Sequence, residues 1–313
     1  MRRTRVAVVA ALPFVGISLT VAGAMLPPPA AAGLPTSLGR FAATRSDSFS
    51  VEVYDETTGR TYAYRPNASY DNASIVKVNI LESVLWGAQR AHRWLSSWEQ
   101  QQAVAMIRQS DNDAATRLWK SVGGARGVAA YDREVGLQHT SFDPGGHWGL
   151  TVSTVADQVA LMRAVVTGRG PLNLRSRAYV TAQMQRVEPD QRWGITAGVP
   201  STATIHIKNG WLPRATHGWR VNSIGRVHGS GRTYDIAVLS TDNGTMGYGV
   251  ASIEGVSRLV FKALAPAPTP ARTPSPSPSA APPASPSASA SATPTATTAR
   301  VAPQLTPTPQ AGA

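Results

Sequence analysis

No cysteine occurs among the 313 residues. That absence excludes disulfides, thiolate metal sites and a cysteine nucleophile, and it removes the thiol that an N-terminal lipid would need. Lysine is scarce: Lys77, Lys120, Lys208 and Lys262 stand against 26 arginines. The six histidines (His92, His139, His147, His206, His217 and His228) are scattered, with no His-x-x-x-His helical pair accompanied by a glutamate, which argues against a zinc hydrolase. There is no Gly-x-Ser-x-Gly elbow, no phosphate-binding glycine loop and no internal repeat. Basic runs with interleaved aromatics are missing too, which argues against a nucleic-acid platform. The expectation is therefore no metal, no cofactor and no nucleic-acid partner.

The two ends differ from the middle. Met1–Arg5 carries Arg2, Arg3 and Arg5; Val6–Leu26 is uncharged; Pro27–Ala32 ends in three alanines. That order reads as a signal peptide over residues 1–32, cut after Ala32. An uncleaved membrane anchor is the alternative, since the apolar run is long enough to span a bilayer. Residues 265–313 are almost entirely Pro, Ala, Ser and Thr and read as a disordered tail or wall spacer, lacking the apolar surface to offset ordering entropy. Residues 33–264 then form the folded domain. Setting aside the five arginines of the two ends leaves 25 basic against 18 acidic residues, a net +7. A basic exported surface fits an anionic cell wall. The chain is expected to be secreted or wall-associated, and a monomer.

Within the domain, Phe49–Pro66 alternates apolar and polar residues around Thr57-Thr58-Gly59, predicting a hairpin of two antiparallel strands. From Ser74 to Ala88 the apolar spacing becomes helical (Val76, Ile80, Leu81, Val84, Leu85), and the helix is apolar enough to be buried. Further helices are expected at Ser97–Arg108, at Asp113–Val122, at Ala125–Val135 before Gly136, and from Thr154 to Gly168, where Asp157 completes a capping-box spacing. Strand periodicity returns at Ala203–Lys208, Gly218–Val227 and Thr233–Ser240, and Gly249–Leu264 closes the domain as a helix. Two strands, a helical block, three strands and a last helix predict a mixed α/β (α+β) fold, an antiparallel five-stranded sheet with helices packed around it.

Three short motifs occur in order: Ser74-Ile75-Val76-Lys77 opening the buried helix, Ser110-Asp111-Asn112 between two helices, and Lys208-Asn209-Gly210 at the end of a strand. A serine at a helix N-terminus has backbone N–H groups and a positive dipole end close by. A lysine three residues on shares its helical face, and burial or neighbouring cations would free its amine to act as a base. Arginine is never deprotonated, so a base at position 77 has to be lysine, and two of the four lysines fall in these motifs. Taken singly each motif has an ordinary explanation: a helix cap for Ser74 and for Ser110-Asp111-Asn112, a solvated strand end for Lys208. Asn67-Ala68-Ser69 and Asn72-Ala73-Ser74 match an N-glycan acceptor by accident, since a glycan there would block Ser74.

With this trio, and with Gly218–Gly225 and Ala237–Ser240 as closing strands, the chain from about Ser37 to Leu264 resembles the class A β-lactamase and penicillin-binding protein superfamily of serine hydrolases. The resemblance implies a β-lactamase/transpeptidase-like fold with an all-helical lobe beside the sheet, and an active site between the two. It implies catalytic roles for Ser74 (nucleophile), Lys77 (base) and Ser110 (proton shuttle). It makes Asn112 a substrate amide contact, turns Lys208 and the Asn209 amide toward the substrate carboxylate with Gly210 beside them in the substrate-binding strand, and assigns the oxyanion hole to the backbone N–H groups of Ser74 and Trp211. The substrate implied is a β-lactam or a peptidoglycan stem peptide. Trp148, Trp211 and Trp219 are expected near it.

Two departures bear on the activity. Asn209 stands where the family has Thr or Ser, and Leu137–Thr151, the segment that should carry a deacylating glutamate, has none. Asp143 or His147 are substitutes in principle, although Asp143-Pro144-Gly145 reads more simply as a turn. The expectation is acylation of Ser74 by β-lactams with slow or substrate-restricted deacylation. The alternatives are a cell-wall D,D-peptidase and a non-hydrolytic binder of β-lactams or wall fragments.

Overall fold

Leu34, Leu38 and Phe41 recur every three to four residues early in the domain, and that stripe is the buried face of a helix not anticipated from the strand and helix marks above. The computed structural model describes residues 29–265, so the greater part of the expected signal (residues 1–28) and the tail beyond residue 265 lie outside the described residues. The short helix α1 (Pro29–Ala32) and α2 (Leu34–Ala42) come first. The hairpin β1 (Ser48–Asp55) and β2 (Arg60–Tyr64) follows, in register from Val51 opposite Tyr64 to Asp55 opposite Arg60. Its turn is held by Asp55, which accepts from the Thr57 N–H at 2.9 Å and the Thr58 hydroxyl at 2.7 Å.

Strand β3 (Ser69–Asp71) leads through a single 3₁₀ turn, Ala73–Ile75, into α3 (Val76–Arg90). The helical lobe continues with α4 (Ser97–Arg108), α5 (Asn112–Ser121) and α6 (Gly124–Val135). After a loop, β4 (Val152–Thr154) pairs antiparallel with β3, and α7 (Val155–Thr167) and α8 (Leu174–Gln185) follow. Strands β5 (Thr204–Pro213), β6 (Trp219–Gly229) and β7 (Arg232–Asn243) complete a five-stranded antiparallel sheet in the order β2-β1-β7-β6-β5, and α9 (Met246–Ala263) ends the domain.

The helix boundaries follow their caps. Ser96 and Glu99 form a reciprocal capping box on α4. Asp111 accepts the Ala114 N–H at 2.6 Å and starts α5. Thr154 caps α7, but the expected second half of that box is absent: Asp157 accepts instead from the Gln138 and His139 N–H groups and the Thr140 hydroxyl, pinning the loop after α6. Helix α8 escapes sequence reading because only Ser176, Val180, Gln183 and Met184 are buried, too mixed a set to show an apolar stripe. Strand β5 runs five residues past its expected end at Lys208, since Asn209, Gly210 and Pro213 break the apolar alternation without breaking the ladder.

Because β7 is central, its alternate residues face two separate cores. Ala237 and Leu239 pack with Ile80, Leu81, Met106, Leu118, Tyr131 and Met162 of the helical lobe. Ile236 and Val238 pack with Leu34, Leu38, Ile253, Val256 and Val260 of α2 and α9. Gly255 lets α2 lie close on α9, since a Cβ there would come within 2.4 Å of the Phe41 ring.

One polar pair is sealed in the helical core. Glu82 of α3 is fully buried, and the Tyr131 hydroxyl donates to its Oε2 at 2.7 Å. Burial pushes the Glu82 carboxyl well above its ordinary value, the phenol works against that shift, and the Asp132 carboxylate adds to it. The stability this carboxyl lends is therefore fully present below its ordinary value and lost as pH rises through the raised one. Glu82→Gln, which keeps an acceptor for Tyr131, should melt close to the wild type at about pH 4 and above it at about pH 9, as read by thermal unfolding at the two pH values.

Candidate functional site

The turn that presents Ser74 is built from strained backbone and borrowed hydrogen bonds. Ala73 has φ +50°, in the left-handed region that non-glycine residues avoid, and Ser74 is half-buried directly after it. The preceding residue, Asn72, is gripped on several sides. Its N–H donates to the Thr151 carbonyl at 2.7 Å, and its Oδ1 accepts from the Ser153 hydroxyl at 2.5 Å. Its carbonyl accepts from Asn222 Nδ2 at 3.1 Å, and the same amide nitrogen donates to the Asp71 carbonyl at 2.9 Å. Asn222 is itself fixed from the sheet, where its Oδ1 accepts the Ser240 N–H at 3.0 Å. These bonds hold the Asn72 backbone and Oδ1 in one geometry, while Asn72 Nδ2 is buried without a partner among the described residues.

Strand β5 meets this turn at Gly210. A Cβ on Gly210 would lie 2.7 Å from the Ser74 nitrogen and 2.8 Å from both the Asn72 oxygen and the Ile75 nitrogen, so only glycine permits the approach. The consequence is that Gly210-Trp211 runs beside the backbone nitrogens at the start of α3. Trp211 is half-buried, with its ring centroid 5.9 Å from that of Trp193.

One helical turn beyond Ser74, the Lys77 side chain is completely buried. Its Nζ donates to the Ser110 carbonyl at 2.5 Å, to the Ser110 hydroxyl at 3.2 Å and to Asn112 Oδ1 at 2.7 Å. Ser110 offers both oxygens because its φ is +59°, a left-handed residue between α4 and α5. Lys208 arrives from the sheet side, also buried, and its Nζ donates to the same Ser110 hydroxyl at 3.0 Å and to the Asn209 carbonyl at 2.9 Å. Ser110 Oγ thus lies between two lysine amines. Desolvation lowers Lys77 to about 7, against a smaller opposite pull from the Asp111 carboxylate. Desolvation also drives Lys208 well below the ordinary lysine value, and the neighbouring Lys77 charge pushes the same way.

The structure thus brings Ser74, Lys77, Ser110, Asn112, Lys208, Gly210 and Trp211 to one seam between sheet and helical lobe. Among the described residues no hydrogen bond joins Ser74 Oγ to Lys77, whose amine is engaged by Ser110 and Asn112 instead. Asn209 points elsewhere: its Nδ2 donates to the Gln191 and Trp193 carbonyls at 2.9 and 3.0 Å, so its amide is not the carboxylate donor expected from its place in the motif. Period-two alternation puts Lys208 and Gly210 on one face of β5 and Asn209 on the other. Asp111 does serve as the cap its ordinary explanation gave it, while Lys208 is the reverse of a solvated strand end.

Of the three tryptophans, Trp148 reaches the cluster, its ring centroid 4.9 Å from Lys77 Nζ. Trp219 packs instead on the core beneath α9. Asp143 and His147 form their own pair, Nδ1 to Oδ2 at 2.7 Å, with the His147 side chain 72% exposed; with Gly146 N–H donating to the Asp143 carbonyl this is the turn that the sequence suggested. Asn72, Ser153 and Asn222 were missed by sequence reasoning. Asn222 stands in a strand that also holds Ser223 and Arg226, so its polarity did not single it out, and no spacing ties it to residue 72.

Residues 99–264 match the beta-lactamase enzyme family. The proteins named "Putative lipoprotein LppW" from Mycobacterium tuberculosis and Mycobacterium bovis are 28% identical to this chain over 205 residues, 64% of this chain and 65% of theirs. The chain therefore spans slightly less than two thirds of the length of those relatives. Among solved structures, the ancestral (GNCA) class A beta-lactamase superposes with a TM-score of 0.64 at 24% identity, covering 74% of this chain and 99% of that one. The class A beta-lactamase from Mycobacterium abscessus gives 0.63 at 24% identity, covering 74% and 98%. At such identities these superpositions show a common fold, five-stranded antiparallel sheet and helical lobe included. Ser74 and Lys77 precede the matched segment, so their placement rests on the geometry above. That segment covers more than half of the sequence, and the chain belongs to the beta-lactamase enzyme family.

Proposed function

We propose that this protein is an exported serine acyl-transfer enzyme that is acylated on Ser74 by β-lactams or by the peptidoglycan stem peptides they resemble, and that it releases the acyl group slowly. The observation that carries the reading is Ser110 Oγ held between two buried lysine amines, Lys77 at 3.2 Å and Lys208 at 3.0 Å, at a seam where β5 touches the Ser74 backbone.

In the acylation step Ser74 Oγ bonds to the substrate carbonyl carbon while its proton passes to the Lys77 amine. Lys77 sheds that proton through the Ser110 hydroxyl to the leaving nitrogen as the amide C–N bond breaks. Ser74 and Trp211 N–H groups stabilise the oxyanion, Asn112 contacts the substrate amide through its remaining NH₂ group, and Lys208 attracts the substrate carboxylate. Asn209 contributes by bracing β5 against the Gln191–Trp193 segment rather than by touching substrate. The absence of glutamate from Leu137–Thr151, with Asp143 and His147 paired to each other in a turn, supports slow deacylation.

Residues 1–32 act as the export signal or anchor and residues 265–313 as the wall-facing tail in this reading, and the net +7 of the domain favours an anionic wall. The word lipoprotein in the relatives' name does not extend here through a thioether, since the chain has no cysteine.

Incubated with benzylpenicillin, the full chain should gain the mass of one penicillin, mapped by peptide analysis to Ser74, and Ser74→Ala should gain none. A wild-type protein that binds the drug without a covalent mass increase would make it a binder instead. Acylation should rise with pH through the lowered Lys77 value of about 7, because the neutral amine is the base and is populated only above it; a rate flat from pH 5 to about pH 9 would remove Lys77 from that role. Gly210→Ala should slow acylation by about a hundredfold or more, by pushing β5 off the Ser74 nitrogen, while costing about 1–3 kcal/mol of stability.

A further inference from the structure

Trp148 closes a ring of contacts around Lys77. Its indole face lies 4.9 Å from Lys77 Nζ, and its Nε1 donates to Thr116 Oγ1 at 3.1 Å. The Thr116 hydroxyl donates to the Asn112 carbonyl at 2.9 Å, and Asn112 Oδ1 accepts from Lys77 at 2.7 Å. The indole is also fixed from behind. Its own carbonyl accepts both the Thr151 N–H at 3.1 Å and the Thr151 hydroxyl at 2.7 Å, while the Thr151 carbonyl takes the Asn72 N–H beside Ser74. Trp148 is thereby tied both to α5 and to the turn that presents Ser74.

Trp148 also borders a solvent-open recess of about 470 Å³, lined with it by Thr116, Trp119, Lys120 and His147; Lys77 is not among the residues lining it. Trp148 thus touches both Lys77 and the recess. The Ser110 and Asn112 oxygens supply three acceptors for the Lys77 amine, and the Trp148 ring packs against that amine beside them.

We infer that Trp148 is the residue that sets the lifetime of the acyl-enzyme, by partitioning the Ser74 ester from the water in this recess. The inference rests on the acyl-transfer reading above and adds the physical reason for slow release. Hydrolysis requires a water oxygen to bond to the ester carbon, its proton to pass to the Lys77 amine, and Ser74 Oγ to leave and take that proton back. The water must sit within hydrogen-bond reach of Lys77, and the indole fills that approach. Removing the ring joins the recess to the lysine.

The test uses the full chain, acylated with benzylpenicillin, freed of excess drug and followed by intact mass at a pH above the lowered Lys77 value. In Trp148→Ala the adduct should still form but decay about tenfold faster or more, with an equal amount of hydrolysed penicillin released. Thr116→Val, which frees the indole N–H without removing the ring, should shorten the lifetime by a smaller factor. Trp148→Phe, which also loses the N–H to Thr116 but keeps an aromatic ring, should shorten the lifetime by a factor close to that of Thr116→Val and well short of Trp148→Ala, a partial rescue by ring bulk that a general loosening of the loop would not give. Equal adduct lifetimes in the wild type and Trp148→Ala overturn the inference and leave the acyl-transfer reading standing. If Trp148→Ala does not fold, an unchanged lifetime in Thr116→Val overturns the inference in the same way. No adduct in any of the chains overturns both.

Discussion

Two lysine amines taken out of water onto one serine hydroxyl are the constraint around which this domain is arranged. Buried lysines are ordinarily paired with carboxylates, and here neither has a salt bridge among the described residues. Their partners are neutral oxygens: the Ser110 carbonyl and hydroxyl, Asn112 Oδ1 and the Asn209 carbonyl. Hydrogen bonds to neutral acceptors do not repay the desolvation of a full charge, so each amine moves toward its uncharged form instead. The same burial that would be a defect in a structural lysine lowers Lys77 to about 7, which is what the proposed function draws on for its base.

Keeping that arrangement requires precision from elements that have no chemical role. The left-handed turn at Ser110 is stabilised on one side by Asp111 capping α5, and it is what lets a single residue present two oxygens to Lys77. The left-handed turn at Ala73 is held by Asn222 from the sheet and by Ser153 and Thr151 from the β3–β4 ribbon. Each strained residue is over-determined by hydrogen bonds from a different layer of the fold, which is the condition under which such strain persists. Gly210 supplies the remaining condition, contact between the edge strand and the first turn of α3 without side chains between them.

The placement of Trp148 joins the chemistry to the loop between α6 and β4. In that loop Asp143 and His147, the titratable candidates, are spent on each other, while the aromatic residue beside them packs over the base. An aromatic face next to an amine favours its charged form, an attraction that acts against the desolvation of Lys77.

Much of this was legible along the chain. The hairpin, the buried helix after Ser74, the helical block, the three returning strands and the last helix all stand near their expected places because each is encoded by local periodicity and caps. The misses share one cause, tertiary contact overriding a weak local pattern. Helix α8 has no clear apolar face, and β5 continues through Asn209, Gly210 and Pro213 because β6 is there to pair with it. Lys208 reads as a solvated strand end until Ser110, at the junction of α4 and α5, is laid against it, and Asn209 reads as a substrate contact until the strand's alternation turns it toward Gln191 and Trp193. The sequence by itself determined the residue types and their order: a serine and lysine one helical turn apart, a second serine at a helix junction, a lone strand lysine, and no glutamate in the loop that should hold one. Long-range contact alone settled that the two lysines share Ser110, that Asn222 braces the turn before Ser74 and that the Trp148 ring packs on Lys77, because hydrogen bonds and desolvation act between residues that the chain keeps 30 to 150 positions apart.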